Sequence, residues 1–173
     1  VTIDRRTGEA HQSDYAFSTF DAEEISDPGD FTDAFLGALD TTMTRLLERT
    51  DGRRLLLPLS GGLDSRLLLG WLALNGEIGR VATFTYGVPG AREVEVSRSI
   101  AQEVGVTWTG VPYERRALLE HWHSPATAAF LAASHAWSAL PHVQDWYALS
   151  VMREQGEAGE GDVVVPGHTI VGN

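Results

Sequence analysis

The sequence predicts an α/β fold, a parallel twisted sheet with helices on both faces, and three observations carry that prediction. Leu55-Leu56-Leu57-Pro58-Leu59 is a continuous apolar run of strand length, the pattern of a parallel strand covered on both sides. It passes through Ser60-Gly61-Gly62 directly into a helical pattern. The order then alternates as strand, loop, helix, strand, helix, strand, which implies right-handed crossovers between parallel strands.

The elements follow in order. Residues 1–30 mix charges with the separated aromatics Tyr15, Phe17 and Phe20 and close on the turn signal Asp27-Pro28-Gly29-Asp30. They are expected to form a short hairpin or peripheral arm, or the end of a preceding domain, before a main domain over 31–173. From Phe31, the positions Phe35, Leu39, Met43, Leu46 and Leu47 recur at three- and four-residue steps, with Asp30 as N-cap and Gly52 past the end. Pro58 removes a ladder donor and belongs near the end of its strand. Leu63, Leu67, Leu68, Trp71, Leu72 and Leu74 predict a helix packed on the sheet and stopped by Asn75-Gly76.

Val81 to Tyr86 reads as a second strand, and a helix with Val96, Ile100 and Val104 on one face ends at Gly105. Val106 to Val111 reads as a third strand. The stretch 114–158 is helical in tone, interrupted at Pro125 and Pro141, and Asp162-Val163-Val164-Val165-Pro166 is another short buried strand.

Composition narrows the function. A chain of 173 residues that is 43% hydrophobic supports one core. No apolar run is long enough to span a bilayer and no secretory signal opens the sequence, so a cytoplasmic protein without membrane contact is expected. The absence of cysteine removes disulfides, thiolate metal sites and a cysteine nucleophile. The formal charge is -11, with a net -8 in residues 1–51 and -3 in the remainder. That balance disfavours nucleic acid as a partner, because phosphate neutralisation needs a basic surface. All 13 basic residues are arginine.

The chemistry sits in Ser60-Gly61-Gly62-Leu63-Asp64-Ser65. Small residues at a strand-to-helix turn let successive N–H groups face one anion, and the helix adds its positive end. Ser60 and Ser65 offer hydroxyl donors. Asp64 would repel phosphate without a divalent cation between them and so implies magnesium, while Arg66 either turns inward to phosphate or is solvated. A Walker A loop fails for want of lysine, a dinucleotide fingerprint for want of its third glycine, and a nucleophile elbow because Pro58 stands where glycine is required.

Leu57 to Arg66 resembles the pyrophosphate-binding loop of the N-type ATP pyrophosphatases, and the leucine before the aspartate is most similar to the synthetase domain of glutamine-hydrolysing asparagine synthetases. Phe84-Thr85-Tyr86-Gly87, the segment Glu93 to Gly105, and Val163-Val164-Val165-Pro166-Gly167-His168 extend the resemblance over roughly residues 50–173. The resemblance implies an adenine-nucleotide alpha-hydrolase-like fold. It also implies cleavage of ATP to AMP and pyrophosphate with adenylation of a carboxylate substrate, then amide formation with ammonia or an amine donor. By the same resemblance Ser60, Gly61, Gly62, Asp64 and Ser65 hold pyrophosphate and Mg2+, with Asp64 the metal ligand, and the backbones of Tyr86 and Gly167 lie beside the adenosine.

Two departures stand out. Ile170 and Val171 occupy the places of the family's glycine and second magnesium-ligand aspartate. The family's domain also continues beyond the equivalent of Asn173, and its glutaminase half opens on a cysteine. The expectation is an incomplete synthetase domain, inactive alone, served by a glutaminase domain or subunit. The competing reading is a non-catalytic nucleotide-binding or scaffold protein that keeps the fold. His121 and His123 share a face only on a strand, whereas their surroundings read as helix. They, His135, His142 and the tryptophans at 71, 108, 122, 137 and 146 are read as packing residues. His168 is a weaker candidate for nucleotide contact, and Glu93 and Glu95 read as solvated.

Overall fold

A computed structural model describes residues 2–12, 27–134 and 143–167. Contacts divide the chain into two compact units, Val1–Leu46 and Leu47–Asn173. In the first, β1 (Thr2–Ile3) and β2 (Ala10–His11) form an antiparallel hairpin, its turn held by Asp4, whose carboxylate accepts the Arg6 N–H at 2.7 Å.

Helix α1 (Pro28–Thr50) starts earlier than the sequence suggested. Asp27, not Asp30, caps it: its carboxylate accepts the N–H groups of Gly29 at 2.7 Å and Asp30 at 3.3 Å. Pro28 takes the first helical position, where its missing N–H costs nothing. The expected apolar stripe is buried at Met43, while Phe31 and Phe35 are exposed. Asp51 and Gly52 end the helix in the left-handed region. Tyr15, Phe17 and Phe20 lie outside the described residues.

The second unit carries the α/β fold, with β3 (Leu55–Pro58), α2 (Leu63–Leu74), a 3-10 turn over Ile78–Arg80, β4 (Val81–Gly87), α3 (Arg92–Val104) and β5 (Thr107–Pro112). Helices α4 (Arg115–Trp122), α5 (Pro125–Ser134) and α6 (Gln144–Glu154) follow, then β6 (Val163–Val164). The four strands are parallel in the order β5-β4-β3-β6. Strand β3 is interior, as its apolar run required, and Leu55, Leu56 and Leu57 are all buried. Each such leucine contributes about 1.5–3 kcal/mol of transfer free energy. Pro58 is the last residue of β3, where its missing donor does least harm.

Side chains alternate across the sheet. Leu56, Ala82, Phe84 and Val111 face Ala148 and Met152 of α6. The alternate residue Thr85 faces α3, where its hydroxyl meets Ser97 at 2.7 Å. Helices therefore cover both faces.

Helix α2 corrects the sequence reading of its leucines. Its buried face runs through Ser65, Leu69 and Leu72, and at 100° per residue Leu63, Leu67 and Leu74 fall on the opposite side. All three are exposed. The short strand expected over 162–166 reduces to two paired residues, extended by the Val165 N–H donating to the Leu56 carbonyl at 2.9 Å. Among the described residues no helix is long and apolar enough to cross a membrane.

Candidate functional site

The chain runs from β3 out to β5 on one side, then returns to place β6 on the other side of β3. The carboxyl ends of β3 and β6 thus flank a topological switch point, where open α/β sheets form ligand crevices. A cavity of about 260 Å3 lies there. Of the residues singled out from sequence, Ser60, Gly62, Asp64, Ser65, Tyr86 and Gly167 line it. Gly61 does not: a Cβ there would make ordinary contacts with Val96 and Glu93 of α3, at 3.8 and 3.9 Å.

The loop is held by its own hydroxyls. Ser65 Oγ accepts the Ser60 N–H at 3.1 Å, Ser60 Oγ accepts the Gly62 N–H at 3.1 Å, and the two hydroxyl oxygens are 3.1 Å apart. Their mutual bond uses one of two hydroxyl protons. The other is left to donate to a ligand. Neither Gly61 nor Gly62 has positive φ, so the glycines serve close approach rather than left-handed backbone. Gly62 caps α2 without a side-chain hydrogen bond, which leaves first-turn N–H groups of this twelve-residue helix without a side-chain cap beside the cavity-lining Gly62, Asp64 and Ser65. Arg66 turns back onto the Gly62 carbonyl at 2.9 Å.

Gly167 has a packing reason to be glycine. A Cβ there would lie 2.9 Å from both Cα and N of Ser65. His168, Ile170 and Val171 lie outside the described residues, as do His135, Trp137 and His142.

Three cavity residues were missed by sequence reading: Pro58, Gln144 and Asp145. Asp145, in the first turn of α6, is 6% exposed. Burial first, then the neighbouring Asp145 carboxylate, push the Tyr86 phenol far above its usual range. Burial does the same to Tyr113, which stacks on Tyr86 with centroids 4.7 Å apart and donates its hydroxyl to the Gln144 carbonyl. A second cavity of about 210 Å3 shares Pro58, Ser60, Tyr86 and Gln144 and extends to Phe84, Thr85 and Glu93.

Beneath the loop, the Thr85 hydroxyl bonds the Leu59 carbonyl at 2.6 Å and accepts the Trp108 indole N–H at 3.1 Å. The last carbonyl before the loop is thereby fixed from β4 and β5.

The family model for asparagine synthase matches residues 35–143. The chain belongs to the asparagine synthase family. This is an ATP-using ligase family, and the match contains the whole loop and β4. It stops just before α6, so Gln144, Asp145 and Gly167 of this asparagine synthase family member lie outside it. No curated protein matches the chain. The aromatic residues of α4 to α6 pack as expected from sequence: His121 lies 5.8 Å from Trp146 and 5.1 Å from Tyr147, and Trp146 stacks on Phe130 at 4.3 Å. Trp122 and His123, at the end of α4, are the exceptions and are exposed.

Proposed function

We propose that the cavity at the switch point binds ATP with Mg2+, and that the chain is the nucleotide-binding part of a ligase that adenylates a carboxylate and converts it to an amide. The observation that carries this reading is the convergence of Ser60, Gly62, Asp64 and Ser65 with the N-terminus of α2 on one cavity wall, inside the segment that matches the asparagine synthase family.

The positive end of α2 and the remaining hydroxyl proton suit the pyrophosphate oxygens. The adjoining cavity, walled by Phe84 and Tyr86, suits the flat adenine, with the Tyr86 and Gly167 backbones beside the adenosine. Magnesium fits the residues present: it keeps several waters and binds through one or two carboxylates plus substrate phosphates, and Asp64 faces the cavity from the first turn of α2. Bound there, the ion would neutralise charge on the leaving pyrophosphate. In the reaction a carboxylate oxygen attacks the α-phosphorus and pyrophosphate leaves. The nitrogen of ammonia or an amine then attacks the acyl carbon, releasing AMP and a proton. The chain's residues contribute placement and charge stabilisation. The carboxylate substrate, the amine donor and a glutaminase domain or subunit to supply ammonia complete the proposed system.

Calorimetric titration of the full chain with ATP, with and without magnesium, tests the assignment. In Asp64→Asn the magnesium-dependent part of the affinity falls by about tenfold or more, ~1.4 kcal/mol, while phosphate-free adenosine binds as before. Equal ATP affinity in all four titrations would withdraw the metal-bound pyrophosphate and leave Asp64 as an ordinary helix-start aspartate.

A further inference from the structure

Helix α6 borders a third cavity, which shares no lining residue with the two at the switch point. The buried face of the helix runs through Asp145, Ala148 and Met152, and Ala148 and Met152 pack over Leu56, Ala82, Phe84 and Val111. At 100° per residue the neighbouring flank carries Trp146, Leu149 and Arg153. Between that flank and the paired residues Leu56 of β3 and Val164 of β6 lies a space of about 170 Å3. Among the described residues β6 is the last strand on that side of the sheet. The cavity therefore sits at the sheet edge, beside the helix that covers its middle.

Its walls are fixed without any ligand. The Trp146 ring stacks on Phe130 at 4.3 Å, and its indole N–H donates to the Thr127 hydroxyl at 3.0 Å. The Ser150 hydroxyl donates to the Trp146 carbonyl at 2.8 Å. Asp162 accepts the Gly159 N–H at 2.8 Å and lies 3.7 Å from the Arg54 guanidinium. The polar side chains of the lining are thus engaged by the protein, with one exception. Arg153 lines the cavity, yet no hydrogen bond or ion pair holds its guanidinium among the described residues. Its place in the last turn of α6 suits the helix dipole, but that role does not require it to border an apolar cavity.

Size, floor and charge select the ligand. An apolar cavity of about 150 Å3 accepts one benzene ring, so this one has room for a single ring. The leucine, valine and tryptophan walls favour an apolar body, which a phosphate group does not offer. A guanidinium without a partner favours a planar carboxylate, to which it can donate two parallel N–H bonds. A cationic ligand would meet Asp162, the one carboxylate in the lining, already beside Arg54.

We propose that the cleft between α6 and β6 is a binding site for a small aromatic carboxylate, with Arg153 as the residue that receives the carboxylate. The site needs no nucleotide, so this assignment and the reading of the switch-point cavity fail separately.

Heteronuclear NMR titration of the full chain with sodium benzoate tests it, against sodium acetate, benzyl alcohol and benzylammonium chloride at equal ionic strength. Benzoate should give saturable shifts at Leu149, Arg153, Gly159 and Val164, with cross-relaxation between its ring protons and the Leu149 and Val164 methyl groups. Its apparent Kd should lie below that of each other probe. Arg153 is exposed, so the fold does not depend on its side chain. Arg153→Gln should raise the benzoate Kd by about threefold, the scale of a solvent-exposed charge pair, and bring it to that of benzyl alcohol. Arg153→Lys should restore part of the loss, and Arg98→Gln, an exposed arginine of α3, should leave binding unchanged. Equal Kd values in wild type and Arg153→Gln overturn the proposal. So do acetate or benzylammonium binding as tightly as benzoate, benzoate shifts confined to Gly62, Ser65 and Gly167, and the lack of any saturable shift up to the solubility limit of benzoate.

Discussion

Replacing Gly167 by alanine asks whether the turn after β6 positions the loop by packing. The added Cβ would stand 2.9 Å from Cα and N of Ser65 and 3.1 Å from its Cβ, whereas carbon atoms in favourable contact sit about 3.5–4.0 Å apart. The atoms met are backbone in the first turn of α2, so no side-chain rotation relieves the clash. Either the turn or the helix start must move by roughly half an ångström. Overpacking of this kind costs about 1–3 kcal/mol. The displaced residue is the one whose hydroxyl holds Ser60 at 3.1 Å, so the loop loosens with it. In urea denaturation the midpoint of Gly167→Ala should fall with the m-value unchanged, and magnesium-ATP affinity should fall in parallel. Gly87→Ala is the control, because its Cβ would meet only Val94 at an ordinary 3.5 Å. Equal midpoints for the two variants would refute the packing argument for Gly167.

Two further outcomes follow from buried hydroxyls. Thr85→Val removes the donor to the Leu59 carbonyl and leaves that carbonyl and the Trp108 N–H short of a partner, at a cost of about 1–3 kcal/mol; chemical denaturation measures it, and Thr85→Ser should restore most of the loss, while a valine variant as stable as wild type would refute the role. Tyr86 has its phenol pKa raised by burial and Asp145, so above about pH 10 the unfolded chain releases this proton first and wild-type stability falls as pH rises. Tyr86→Phe should flatten that fall, and identical alkaline stability profiles for the two proteins would contradict it.

The fold was legible where its determinants are local. The leucine run of β3 and the Ser60-Gly61-Gly62 turn announce a buried parallel strand and its loop without help from the remainder of the chain. Helix α1 was read three residues late because Asp-Pro-Gly serves equally as a turn and as a cap followed by a helix's first residues. In α2 the sequence reading counted Leu63, Leu67 and Leu74 toward the sheet and left out the buried Leu69, yet the register is set by Ser65, whose hydroxyl is tied to the loop. That tie turns Leu63, Leu67 and Leu74 outward. Asp145 carried no local signal at all. It is one acid in a helical stretch, and its meaning comes from Tyr86, a residue on a strand far earlier in the chain.

The cavity combines two opposed fields. On one wall the start of α2 presents first-turn N–H groups and a partial positive charge, which attract an anion. Asp64 projects from that same turn, and Asp145 faces the cavity from α6, both attracting cations. A bare polyphosphate satisfies the loop but is repelled by the carboxylates, and a bare cation satisfies the carboxylates but leaves the helix end without a partner. A ligand of alternating sign, an anion accompanied by a cation, answers both. Aspartates beside an anion-binding loop are therefore not in conflict with the proposed nucleotide: they favour an anion that arrives with its own counter-cation.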